Sequence, residues 1–163
     1  MKKTQKKLGN KGFSLVELIV VIAIMAVLIG VLAPTLIRNV EKSRESTDLQ
    51  NLDSIRTSVT TALSQENVAK YLPAKDHYAV VTYGSTLSCA ANTDLATELQ
   101  KEMTSDSSLG TSLKSSAANG NTIYIVIDSN GKASVGVYST APTNFSDGTL
   151  VTCKRNTGSF ISE

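Results

Sequence analysis

Glu17 is the residue whose surroundings most need a chemical explanation. It carries the only charge between Lys11 and Arg38, and it stands at the start of a long apolar run. A lone carboxylate at the edge of a segment able to enter lipid is costly unless a cation reaches it, so Glu17 is a candidate functional residue in need of a partner. Other residues with chemical potential are few. His77 is the one histidine and lies alone beside an expected strand. A Ser-His-Asp site would have to use it, yet no nucleophile elbow surrounds any serine. Asp94, Asp106, Asp128 and Asp147 are scattered and none sits in a calcium-loop pattern. Phosphate-binding and dinucleotide-binding glycine fingerprints are missing. Cys89 and Cys153 lack the C-x-x-C spacing of a redox pair and suit a crosslink better than zinc ligation. The residue types therefore point to a protein that is not an enzyme and needs no cofactor or metal.

The elements that must position Glu17 are uneven in composition. The chain has 163 residues, of which 41% are hydrophobic and 18% charged, with a formal charge of +2. Such averages suggest one modest soluble domain. They conceal a leader, Met1 to Gly12, with five lysines and no acid, followed from Leu18 to Ala33 by 16 consecutive residues without a polar or charged side chain. Counted from Phe13 past Pro34, the segment is long enough to enter a hydrocarbon layer of about 30 Å as a helix, which satisfies its backbone internally. A cleaved secretory signal would need a small-residue site just beyond the apolar core, and Pro34 disfavours cleavage there. Simple uncleaved anchoring leaves Glu17 unexplained.

The stretch from Lys11 through Gly12, Phe13, Ser14 and Glu17 to Ile24, continuing with Gly30 and Pro34, resembles the class III leader junction and N-terminal helix of type IV pilins and of type II secretion or competence pseudopilins. The resemblance covers about Lys11 to Pro34. It implies that a prepilin peptidase cuts between Gly12 and Phe13 on the cytoplasmic side and methylates the new amine. It also implies that the Phe13 amine of an incoming subunit meets the Glu17 carboxylate of a neighbour. Gly12 leaves the backbone beside the scissile bond uncrowded. A dry pair of opposite charges sets register while offsetting only part of its desolvation cost. Family members can lose helicity around the positions matching Gly30 and Pro34, where a missing amide hydrogen and a weak helix former favour a bend or local melting.

Beyond Pro34 the apolar residues thin to Ile37, Val40, Leu52, Ile55, Val59, Ala62 and Leu63, the spacing of one helix face. Arg38, Glu41, Lys42, Arg44, Glu45 and Asp48 are expected elsewhere on its surface. The interval from Val40 to Leu52 reads as a solvated neck or as a surface packed on other subunits. A helix from Phe13 to about Ser64 would be roughly 80 Å long. The expected remainder is a strand within Asp76–Tyr83, a helix capped by Thr93 or Asp94 and running to Met103, and a loop over Ser105–Asn121. A hairpin of Thr122–Ile127 and Lys132–Tyr138 follows, then a last strand at Thr149–Cys153 and a polar tail from Lys154. Cys89 and Cys153 enclose 63 residues, and an exported domain would let them oxidise. Two free buried thiols are the alternative.

The expected architecture is α+β and type IV pilin-like, a long N-terminal helix packed on a small antiparallel sheet. Its segments are a cleaved leader (1–12), a transmembrane and filament-core helix (13–36), an amphipathic continuation (37–65) and an exported domain (66–163). The leading function is a structural subunit of a type IV pilus, held in the cell membrane and then placed in an extracellular filament. Its partners would be other copies of itself, the prepilin peptidase, an inner-membrane assembly platform, minor pilins and the bilayer, with nucleic acid reached only through the assembled machine. A pseudopilin of a secretion or DNA-uptake machine has the same fold. An anchored DNA-binding or ligand-binding module would need a basic groove with interleaved aromatics, which the distal sequence lacks. Cleavage after Gly12 would remove five lysines and no acid, leaving 151 residues with a formal side-chain charge of −3.

Overall fold

A long apolar run that must satisfy its own backbone becomes a helix, and α1 spans Leu15–Leu63. The computed structural model describes residues 13–103, 113–145, 148, 150–154 and 158–162. Its contacts divide into two units, Met1–Arg38 and Asn39–Glu163. In the first unit, the described residues are the apolar half of α1. Side chains from Leu15 to Ile37 stand largely exposed, and the helix is long and apolar enough to cross a membrane. Helical structure continues through Gly30 and Pro34, where a bend or local melting was expected. Pro34 supplies no amide to the carbonyl of Gly30 four residues earlier, so this turn keeps one fewer bond than its neighbours.

The second unit contains the remaining elements: α2 (Glu66–Ala69), β1 (Tyr78–Tyr83), α3 (Thr93–Met103), β2 (Thr122–Asp128), β3 (Ala133–Tyr138) and β4 (Ile161–Ser162). The strands form one antiparallel sheet in the order β1-β2-β3-β4. Period-two alternation, with Val81 opposite Ile125 and Ile125 opposite Val135, sends Ala79, Val81, Ile123, Ile125, Ile127, Ala133, Val135 and Val137 into one core. Leu52, Ile55, Val59, Ala62 and Leu63 of α1 join them, as do Leu95 and Leu99 of α3. The structure is therefore α+β, with a long N-terminal helix packed on a small antiparallel sheet.

Two turns show how local chemistry sets these elements. At the β2–β3 hairpin, Asp128 Oδ1 accepts the amides of Asn130 and Lys132 at 2.8 Å each, and Gly131 takes φ +78°. The cap of α3 is Asn92, whose Oδ1 accepts the Leu95 amide at 3.0 Å, rather than Thr93 or Asp94. Asn92 also donates from Nδ2 to the Tyr71 carbonyl at 2.7 Å, so the capping residue tethers a second segment.

The carboxyl-terminal assignment needs correction. Thr149–Cys153 forms no strand among its described residues, only single bridges from Leu150 to Tyr138 and from Thr152 to Ser159. The final strand is β4, inside the segment read from sequence as a polar tail, and Phe160 next to it is fully buried. The outer sheet face is covered as well, since Val126, Ser134 and Tyr138 are buried. Gly136 makes room there: a Cβ would fall 2.8 Å from the Tyr138 ring and 3.1 Å from Leu150. Phe145 packs edge-on to Tyr78 with ring centroids 5.3 Å apart, and Lys132 lies over its face. Within the expected loop, 104–112 lie outside the described residues and 115–120 form a turn.

Candidate functional site

Helix starts leave amides without partners, and Ser14 and Glu17 have the three-residue spacing that can satisfy one. Glu17 Oε2 accepts the Ser14 amide at 2.9 Å, so α1 begins at Leu15 and Phe13 stays outside the helix, 90% exposed. The sequence singles out Glu17 as a carboxylate in want of a cation. Among the described residues its partner is a neutral amide, which places the group, and no cation stands beside it. Gly12, on the other side of the expected scissile bond, lies outside the described residues.

A second set of carboxylates lies farther along α1, where sequence reasoning expected a solvated or subunit-facing surface. Glu45 and Asp48 are both fully buried. Asp48 Oδ1 and Oδ2 accept the Lys114 amide at 2.9 and 3.1 Å, and Oδ2 accepts the Ser115 amide at 2.8 Å. Glu41 accepts the Ser116 amide, and Glu45 accepts the Lys154 amide at 2.7 Å. The hydrogen bonds from Ser116 hold the Glu41 carboxyl below its ordinary range, opposed by burial and helped by Arg44 and Lys154. A carboxylate bonded to several backbone amides is a stable way to bury charge.

The periodicity that could have revealed this arrangement is present in the sequence. Positions 41, 45 and 48 continue the alternating steps of four and three set by Leu52, Ile55, Val59 and Ala62, so they occupy the same inward seam. Burial also affects the nearby Cys153 thiol, raising its pKa with a further contribution from Glu45.

The expected Cys89–Cys153 crosslink is not formed: both are free cysteines, Cys89 buried and Cys153 half-buried. Sheet topology gives the reason. Ser88, next to Cys89, pairs with Thr82 beyond the outer edge of β1. Val151, close to Cys153, donates to Val137 on the side of β3 away from β2. Four strand spacings of about 4.8 Å put these segments roughly 19 Å apart across the sheet. A disulfide holds its Cα atoms within about 7 Å.

His77 is exposed, with Nδ1 3.0 Å from the Lys75 carbonyl oxygen. No cluster of potential metal ligands occurs among the described residues. The arrangement thus offers an exposed apolar helix whose first carboxylate has no cation beside it among the described residues, followed along α1 by Glu41, Glu45 and Asp48, which are engaged by backbone amides.

Comparison with curated proteins and with solved structures finds no match. Residues 7–33 match the prokaryotic N-terminal methylation motif. The chain therefore carries a prokaryotic N-terminal methylation motif over residues 7–33, consistent with the class III leader of a prepilin or pseudopilin, and the motif runs into the membrane-compatible start of α1.

Proposed function

We propose that the chain is a structural subunit of a type IV pilus, polymerising through α1 after a prepilin peptidase cuts between Gly12 and Phe13 and methylates the new amine. The observation that carries this reading is the exposed apolar surface of α1 beginning beside Glu17. Large apolar side chains left in water each forgo about 1.5–3 kcal/mol of burial. A bilayer supplies that burial before assembly, and copies of the same helix supply it afterwards. The lysine-rich leader fits the cytoplasmic side of the membrane, where the peptidase would act.

Cleavage creates the cation that Glu17 lacks. The amine of Phe13 on an incoming subunit reaches the Glu17 carboxylate of a subunit already in place, giving end-to-end register within a dry bundle. Other copies of the chain, minor pilins and an inner-membrane assembly platform are the partners in this scheme. The mature subunit moves from the cell membrane to an extracellular filament. Its contribution is assembly rather than catalysis.

Mass spectrometry of the amino terminus in filaments sheared from cells tests the proposal. N-methylated Phe13 as first residue in abundant filaments is the expected result, whereas an intact Met1 in assembled filaments defeats it. Processed protein that never leaves the envelope, together with loss of protein export or transformation on deletion, would instead assign the chain to a pseudopilin machine.

A further inference from the structure

Two asparagines are followed directly by glycine, Asn119-Gly120 and Asn130-Gly131, and both asparagines are exposed. In this dipeptide the glycine nitrogen can reach the asparagine side-chain carbonyl carbon with no Cβ to obstruct it. Both glycines have positive φ, +84° at Gly120 and +78° at Gly131. The two sites share sequence, exposure and backbone class, yet their hydrogen bonds differ.

At the hairpin, the prospective nucleophile is engaged: the Gly131 amide donates to the Asp128 carbonyl at 3.2 Å. The Asn130 amide is fixed as well, by Asp128 Oδ1 at 2.8 Å. At the other site, the Asn119 amide donates to the Ser115 carbonyl at 3.0 Å, which fixes the residue without occupying the nucleophile. Among the described residues, neither the Gly120 amide nor the Asn119 side chain has a hydrogen-bond partner. A Cβ placed on Gly120 would meet nothing within 4 Å, so the space around the reacting atoms is open. The next asparagine is tethered, with Asn121 Nδ2 donating to the Ala117 carbonyl at 3.2 Å.

We propose that Asn119 is a site of spontaneous deamidation and that Asn130 is shielded from the same reaction by its hairpin. The Gly120 nitrogen loses its proton to solvent and attacks Cγ of Asn119. A nitrogen–Cγ bond forms, the Cγ–Nδ2 bond breaks, and Nδ2 departs as ammonia after taking up a proton from water. Water then opens the five-membered imide. Addition at Cγ gives aspartate, while addition at the main-chain carbonyl gives isoaspartate. No electrons are exchanged, and water is the only co-reactant. Each conversion adds one negative charge to an exposed turn. The isoaspartate product also lengthens the main chain by one methylene shortly before β2 begins at Thr122.

The test is peptide mapping of the purified full chain after incubation in mildly alkaline buffer, both folded and in urea, with aspartate and isoaspartate products separated. In urea the two sites should convert at similar rates. In the folded chain Asn119 should convert at least about fivefold faster than Asn130, the factor that one ordinary hydrogen bond on the nucleophile supplies. Asn119→Gln should remove the fast product without altering conversion at Asn130. Equal rates in the folded chain, a faster Asn130, or a folded chain in which Asn119 stays intact would each overturn the proposal.

Discussion

Glu17 and Asp48 are both acidic residues on α1, and their surroundings assign them different work. Glu17 has one neutral amide at 2.9 Å and remains at an exposed helix start, whereas Asp48 is buried and takes the amides of Lys114 and Ser115. In the proposed filament, replacement of Glu17 by Leu should reduce sheared filament yield at least about tenfold, the effect of losing somewhat more than 1 kcal/mol of charge-assisted contact at a subunit boundary. The domain's thermal midpoint should not change. Glu17→Gln separates the cap from the charge: it can still accept the Ser14 amide and should still assemble poorly. Asp48→Ala should destabilise the domain by about 2–4 kcal/mol in urea unfolding, because two amides lose their acceptor in the interior. Glu41 adds a pH dependence. Its folded-state pKa is lowered, first by the Ser116 hydrogen bonds, so its stabilisation is present above the ordinary glutamate range and disappears as pH falls through the folded value. A thermal midpoint followed downward from neutral pH should fall on the acid side of that range, and Glu41→Gln should flatten part of the decline.

At the scale of elements, α1, α3 and the β2–β3 hairpin were legible because each announces itself locally through period, cap or turn chemistry. The fate of the interval between Val40 and Leu52 was not, since charged residues on a helix are normally solvated and only the continued seam at 41, 45 and 48 hinted otherwise. The last strand was missed for another reason. Leu150 and Val151 resemble a strand in isolation, while Phe160 and Ile161 follow a short stretch of small and polar residues and gain their place from pairing distant in sequence. Phe160 makes that pairing energetically important. Phe160→Ala should cost about 3–5 kcal/mol, measured by urea unfolding, as expected for emptying a fully buried aromatic site. A surface tail would tolerate the same change. The cysteines teach a related lesson: separation along the chain carries no information about which edge of a sheet each will join. The capping pair at Ser14 and Glu17 was available from spacing alone, but the lipid cost of Glu17 directed attention to its charge.

For the whole molecule, composition divides more cleanly than the average suggests. Residues 39–163 hold the buried core, whereas the large apolar side chains from Leu15 to Ile37 are exposed. A chain starting at Asn39 should be monomeric without detergent and should unfold cooperatively. The chain starting at Phe13 should require detergent, with size-exclusion chromatography and urea unfolding as the measurements. The carboxylate row gives this division a mechanical consequence. An apolar seam with a seven-residue repeat can slide by a helical turn, about 5.4 Å, and still find greasy surface. Carboxylates bonded to the amides of Lys114, Ser115, Ser116 and Lys154 have no second position of equal quality. Traction along this part of α1 therefore meets a ratchet tooth rather than a sliding bearing: the helix is seated at one notch until several bonds fail together.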